Sequence, residues 1–282
     1  MSKEYEIKVF FVGGLNSLCP YLEKEGVRTV SDMDNSVDIV LTGAVGKYKE
    51  VENLRKKYGF PVVQYVWDLY EWAWEGKRPN DYDWHGYGEV VKQADDIWSP
   101  NVGTQKRITE YLGMDSIVIE PHIDFYEHER KDEGYVLDHM RDYPVENEKW
   151  VEKACTELNI PFKRTMHGLS LQDYRKVVSN ARLLVTPYDE ASTGGLTLLE
   201  GLYNGVPSLV SNSQYSGGKE YLGKHANTFQ EGDYNDFKKQ LAKLYNNPPK
   251  PRARKHLKKF SPEVIAKKYK DRLCYILQQA ET

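Results

Sequence analysis

Few folds can accommodate residues 181–212, ARLLVTPYDEASTGGLTLLEGLYNGVPSLVSN. Residues 181–187 are a short apolar run without polar alternation, the pattern of a strand covered on both faces. The run ends at Pro187 in an acidic, small-residue loop over 188–195. Leu196, Leu199, Leu202 and Tyr203 then mark one face of a helix, with Gly205 as its C-terminal stop. Residues 207–211 read as the next strand. Two buried strands joined by a helix form a parallel unit, and ligands of open α/β sheets bind at such strand-to-helix loops. Gly194 and Gly195 let a backbone approach a ligand closely, and the helix start offers free N–H groups to an anion.

The same grammar runs through the rest of the chain. YEIKVFFV (5–12) predicts a strand ending in Gly13-Gly14, followed by a helix over 16–24. A glycine pair after a first strand suits either a phosphate or a tight turn, because the full fingerprint of a dinucleotide site is missing. Residues 37–42 and 61–66 predict further strands, with a charged helix over 46–58 between them. Strand 97–99, helix 102–112, a stop at Gly113 and strand 117–120 complete a first half. A second half opens with strand 134–137, helix 147–158 and a short strand over 162–168. Ser170 and Asp173 then form a capping signal, and Tyr174, Val177, Val178 and Ala181 give the stripe of a packed helix. Near the C-terminus Ser261 caps a helix with Pro262 in its first turn and Ile265, Tyr269, Leu273 and Ile276 along one face.

The chain has 282 residues, comfortable for two domains of ordinary size. A formal net charge of −3 disfavours a protein whose main partner is the nucleic-acid backbone. Cys19, Cys155 and Cys274 are too widely spaced for a metal pattern and odd in number for a disulfide framework. The charged start MSKEYEIKVFFVGG lacks the apolar core and cleavage site of a signal peptide. A reducing cytoplasm is the expected compartment.

Glu190 and Glu200, bracketing GGLTLLEGLYNGVPSLVSN, resemble the paired-glutamate motif of retaining glycosyltransferase family 4, the glycogen synthase-like glycosyl transferases group 1. Gly195, Leu196, Leu199, Glu200, Gly205, Val206 and Pro207 fall into its register, although the two acids stand ten positions apart here instead of eight. Residues 94–124 are similar to the segment that closes the family's first domain, through Asp95, Ser99, Leu112, Gly113, Val118, Pro121 and Asp124. The resemblance implies the GT-B fold, an α/β architecture of two Rossmann-like domains facing across a cleft. It would divide this chain into an acceptor-side domain, 1–125, with helix 262–282 packing back on it, and a nucleotide-sugar domain, 126–261.

The resemblance also assigns roles. Glu200 would hold the ribose hydroxyls and Glu190 the donor sugar. Arg141 and Lys149 would grip the diphosphate beside Gly194, Gly195 and Leu196, His167 would border the base, and Gly13 and Gly14 would lie near donor phosphate or acceptor. A helix N-terminus contributes only about 0.3–1 kcal/mol toward an anion, so a basic side chain is expected to help, Arg141 first. Asp68 stands where the family's acceptor-side strand ends in His-Asp, preceded here by Trp67, and His85 is a substitute for the missing imidazole.

Four of the six tryptophans lie within residues 67–87, among them Trp67 and Trp72. Such aromatics either stack on sugars or bases in a groove or cap a domain edge without any ligand. The basic run Lys250, Arg252, Arg254, Lys255, Lys258 and Lys259 would give weak contact with an anionic surface, but a charge run is more often a solvated face. The expected activity is transfer of a sugar, with retention, from a UDP- or GDP-linked donor to an unknown acceptor: a saccharide, a lipid-linked group or a small molecule, nucleic acid being disfavoured. No tightly bound cofactor or metal is expected. A sugar-nucleotide epimerase of the same fold and a non-catalytic nucleotide-binding or assembly protein are the alternatives.

Overall fold

The computed structural model describes residues 6–13, 17–43, 45–67, 69, 74, 83–138, 149–164, 168–188 and 195–280. The chain forms two compact units, one of Met1–His122 with Lys259–Thr282 and the other of Ile123–Lys258.

The first unit is built on a six-stranded, all-parallel sheet. Its elements are β1 (Ile7–Val12), α1 (Cys19–Lys24), β2 (Val27–Val30), β3 (Ile39–Thr42), α2 (Tyr48–Tyr58), β4 (Val62–Tyr65), α3 (Trp84–Val91), β5 (Asp96–Ser99), α4 (Val102–Leu112) and β6 (Ile117–Val118). The strand order is β2-β1-β3-β4-β5-β6, so the chain reverses its direction of travel across the sheet between β1 and β3. Strands β3 and β4 are buried throughout, which is why their sequences are mainly apolar without alternation, the buried Gln64 being hydrogen-bonded to the Thr42 carbonyl and the Tyr87 hydroxyl. Helices α2 and α4 both end at a glycine in the left-handed region, Gly59 and Gly113, where a side chain would be strained.

The terminal helix, Pro262–Ala280, supplies Ile265, Tyr269, Leu273 and Ile276 to the core of this unit, against Tyr65, Trp98 and Ile119. Arg272 clamps it with two charge-assisted bonds of 2.7 Å to Asp96, which also accepts from the Trp98 indole at 2.6 Å.

The second unit has a five-stranded parallel sheet in the order β11-β10-β9-β7-β8. Its elements are β7 (Val136–Asp138), α5 (Trp150–Leu158), β8 (Phe162–Arg164), α6 (Leu171–Asn180), β9 (Leu183–Thr186), α7 (Gly195–Tyr203), β10 (Ser208–Ser211), α8 (Gly217–Leu222), β11 (Asn227–Phe229) and α9 (Tyr234–Asn246). Here the reversal falls between β7 and β9, whose carboxyl ends carry Asp138 and Thr186.

The charged run 127–133 is bonded into this unit. The His128 backbone N–H donates to Asn204 Oδ1 at 3.2 Å, and that of Lys131 to Asn180 Oδ1 at 3.0 Å. The Arg130 guanidinium donates to the carbonyls of Gly205 and Ala181 at 2.7 and 3.3 Å. One cation thereby serves the C-terminal ends of both α6 and α7, where helix carbonyls lack intrahelical partners.

Candidate functional site

Helix α7 carries the site because its sequence lets it sink into the unit. Gly195, Thr197, Leu198, Leu199, Gly201 and Leu202 are all buried, a wider arc than the single face expected from the leucine spacing. Two glycines make that depth possible. A Cβ on Gly201 would collide with Leu184 of β9, and one on Gly195 would collide with the Cδ2–Cε2 edge of the Tyr221 ring of α8. Gly195 is therefore required by packing, in addition to any approach of its backbone to a ligand.

Glu200 sits in the middle of this helix, largely buried against Tyr174 and Arg175 of α6 and Asp124 and Tyr126 of the preceding segment, a setting referred to below as the recess. Tyr174 of α6 donates its hydroxyl to Glu200 Oε2 at 2.8 Å and lies 2.6 Å from Thr197 Oγ1. The phenol has one proton, and the carboxylate can only accept. The chain of bonds therefore runs one way: Thr197 donates to Tyr174, and Tyr174 donates to Glu200. Among the described residues no second hydrogen bond holds the carboxylate, so Oε1 is left for a ligand hydroxyl.

The electrostatics oppose one another. Burial pushes the Glu200 carboxyl above its ordinary range, and Asp124 pushes in the same direction, while the Tyr174 hydrogen bond and the Arg175 guanidinium hold it down. Burial, then the Glu200 charge, raises the Tyr174 phenol well above its own range, so it stays a hydrogen-bond donor at any working pH. Tyr126 is likewise pushed up to about 12, chiefly by burial, and its ring lies 4.4 Å under the Arg175 guanidinium. Such a carboxylate, shielded and bonded on one oxygen, is suited to accept from hydroxyl groups.

At the reversal point of the sheet, Asp138 is completely buried and accepts from Arg164 Nε at 3.4 Å. The neighbouring Cys155 thiol is pushed up to about 12 by burial and by that charge, which makes it an inert core group. Nothing in the sequence marks Tyr174 and Thr197 as partners of Glu200. Tyr174 looked like one more member of an apolar stripe, and nothing local marked its hydroxyl.

The remaining expected site residues divide into those the structure describes and those it does not. Glu190, Asp68, Gly14, Arg141, His167, Gly194 and Trp72 lie outside the described residues. Lys149 is exposed at the start of α5, Leu196 is half-buried on the first turn of α7, and Gly13 ends β1 in the left-handed region. Trp67 packs on the first unit's own core. Its indole lies over Gly43, where a Cβ would stand 2.7 Å from Nε1, and its ring meets Tyr65 edge-on at 4.4 Å. His85 is exposed on α3 with its ring 4.6 Å from that of Trp74, which in turn stacks on Tyr111 at 5.6 Å. Tyr87 is buried and its hydroxyl lies 3.2 Å from Gln64. Trp74 itself packs between α3 and α4, beside Gly88 and Tyr111.

Residues 145–263, which include α6, α7 and Glu200, match the family described as glycosyl transferases group 1. The matched residues make up less than half of the chain. Solved structures similar to the chain bear out the α/β fold with two parallel sheets, GT-B. The HepE protein of Anabaena, solved with UDP and glucose, is 10% identical with a TM-score of 0.67, over 96% of this chain and 100% of that one. Sucrose-phosphate synthase of Thermosynechococcus elongatus is 12% identical with a TM-score of 0.70, over 99% and 100%. The pneumococcal O-GlcNAc transferase GtfA, solved with UDP and GlcNAc, is 13% identical with a TM-score of 0.61, over 92% of this chain and 60% of that one. No curated protein sequence matches the chain. Among its described residues no group of His, Cys, Asp and Glu is placed to hold a metal ion, and no helix is long and apolar enough to cross a membrane.

Proposed function

We propose that this protein takes a sugar from a nucleotide-diphosphate donor held by the second unit and transfers it, with retention, to an acceptor hydroxyl. The observation that carries the reading is the recess around Glu200, a partly desolvated carboxylate with one oxygen engaged by Tyr174 and the other open, on a helix within the family-matching segment. Similar structures were solved with UDP and a sugar, which favours uridine as the donor base. In this reading Glu200 accepts from the ribose hydroxyls and Glu190 attends the donor sugar. Arg141, Lys149 and the start of α7 stabilise the leaving diphosphate as its charge develops. His167 borders the base, and Asp68 orients the acceptor hydroxyl.

A thermal-shift series with UDP, GDP, ADP and their hexose derivatives tests the donor. A ligand at 100 times its dissociation constant adds about 2.7 kcal/mol of stability, which is readily measured. Absence of any shift with the whole series would overturn the reading. Proton NMR of the product made from the stabilising donor then reports the anomeric configuration, with retention expected.

A further inference from the structure

The geometry around α7 assigns a role to two residues outside the paired-glutamate pattern: we propose that Tyr174 and Thr197 position Glu200 for the donor ribose. The proposal rests on the reading that a nucleotide occupies the Glu200 recess, and it adds what keeps the carboxylate competent there. A glutamate side chain has three rotatable bonds, and at this depth a wandering carboxylate would either fold away or take up a proton. The Tyr174 hydroxyl, 2.8 Å from Oε2, fixes the rotamer from the neighbouring helix. Thr197, one turn before Glu200 on the same helix and 2.6 Å from that hydroxyl, orients the phenol proton toward the carboxylate. With Oε2 satisfied inside the protein, Oε1 is the oxygen offered to the ribose diol. Tyr174 is a positioning residue: it acts through Glu200 and is not placed on the reacting atoms.

Among the described residues, the charged and titratable groups that face Glu200 are Tyr174 and Arg175 from α6 and Asp124 and Tyr126 from the segment that precedes β7. Asp124 and burial favour the protonated acid; Tyr174 and Arg175 favour the carboxylate. Loss of the Tyr174 hydroxyl removes one of the two restraints, so Glu200 takes up a proton at a higher pH than in the native protein. A protonated Glu200 can no longer accept two hydroxyl protons. Nucleotide binding by Tyr174→Phe is therefore lost at higher pH, on the acid side, than binding by the native protein.

The experiment uses the full chain, the nucleoside diphosphate that stabilises it most among UDP, GDP and ADP, and the 2′-deoxy form of the same nucleotide, with affinities measured by calorimetry across a pH series. The native protein is expected to prefer the ribonucleotide by about tenfold or more. Tyr174→Phe should bind the ribonucleotide about tenfold more weakly, discriminate against the deoxy form only about two- to threefold, and show its acid limb moved to higher pH. Thr197→Val should move all three readouts in the same direction by less, and it decides the question should Tyr174→Phe melt too low to assay. A merely structural role would lower the melting temperature without altering the ribo-to-deoxy ratio. Full discrimination by the native protein together with unchanged discrimination and pH profile in both variants overturns the positioning role and leaves the nucleotide site standing. Failure of the native protein to bind any of the three nucleotides, or to distinguish ribose from deoxyribose, overturns the nucleotide reading and the positioning role with it.

Discussion

The two units share a parallel sheet that reverses direction next to its first strand, yet the structure treats the carboxyl ends of the two sheets in opposite ways. In the first unit the exits of β3 and β4 are closed by aromatics. Trp67 lies over Gly43 and against Tyr65, and Tyr65 and Trp98 continue the stack to Tyr269 of the terminal helix. In the second unit the corresponding region is polar, with Asp138 and Thr186 at the strand ends and the Thr197–Tyr174–Glu200 chain on the helices that follow. The topology alone provides two places where a ligand could sit. Side-chain chemistry distinguishes them: aromatic packing fixes the described exits of one, and a carboxylate with an open oxygen equips the other.

The largest expected effect follows directly. Truncating one partner of a buried hydrogen-bonded charge costs about 2–5 kcal/mol in binding, so Glu200→Ala should weaken nucleotide affinity on the order of 100-fold while the protein stays folded. Trp67→Ala should do the reverse, lowering the melting temperature by several degrees and leaving nucleotide affinity within about twofold, since losing a packed aromatic is a stability matter. Calorimetry and thermal unfolding of both variants separate the two regions. Weak nucleotide binding by Trp67→Ala would erase the contrast.

A second pair sharpens it at the level of glycines. Gly195 abuts the Tyr221 ring, which is buried and bonded through its backbone carbonyl to His256, so it has no room to retreat. Gly43 abuts Trp67, which is half-buried and can shift outward. Gly195→Ala should cost about 1–3 kcal/mol as an overpacked core position, and Gly43→Ala less than about 1 kcal/mol. Denaturant titration gives both numbers, and equal costs would mean that Trp67 is held as rigidly as Tyr221.

How much of this was legible in the sequence depends on how local the cause is. The stop at Gly113 was readable, because a left-handed residue after a helix needs glycine whatever surrounds it. The mainly apolar, non-alternating sequences of β3, β4 and β9 announced a sheet covered on both faces. Strand β2, VRTV, was not seen, because it is a short edge strand whose identity comes from pairing with β1. Tyr174 counted correctly toward a helix stripe, but periodicity cannot reveal that its hydroxyl meets a glutamate 26 positions away. The anchoring of Arg130 is equally invisible, since its partners Ala181 and Gly205 are brought to it by the fold. Glu200 was legible as a member of a family pattern, whereas its pairing and desolvation are properties of the folded unit.

Charged clamps provide a third, smaller test. Arg272 and Asp96 meet with side chains 28% and 10% exposed, whereas Arg254 and Glu127 meet at 70% and 71%. Arg272→Met leaves a mostly buried carboxylate without its guanidinium and should cost about 1–3 kcal/mol. Arg254→Met removes a solvated pair and should stay within about 0.5 kcal/mol. Thermal unfolding at moderate and high salt checks both, the second loss vanishing with salt.

The smallest expected effect contrasts one carboxylate from each unit by the sign of its pH dependence. Burial raises the folded-state pKa of Glu200 above its ordinary 4.5. Through that window the native fold keeps a proton that the unfolded chain has released, so Glu200 makes the protein less stable as pH rises. Glu200→Gln lacks this loss, and its melting temperature should gain on the native protein from about pH 4.5 upward and then level off. Asp83, on the first unit, behaves oppositely. The Gly86 backbone N–H and the Tyr48 hydroxyl hold its carboxyl below the usual 3.8. Its contribution is present above 3.8 and is lost as pH falls through the depressed value, so Asp83→Asn should be less stable than the native protein at neutral pH and converge with it in acid. Melting curves of the three proteins from about pH 3 to about pH 8 resolve both trends. Parallel curves for Glu200→Gln and the native protein would mean that water reaches Glu200 freely, and the recess would then offer a nucleotide no more than the open surface does.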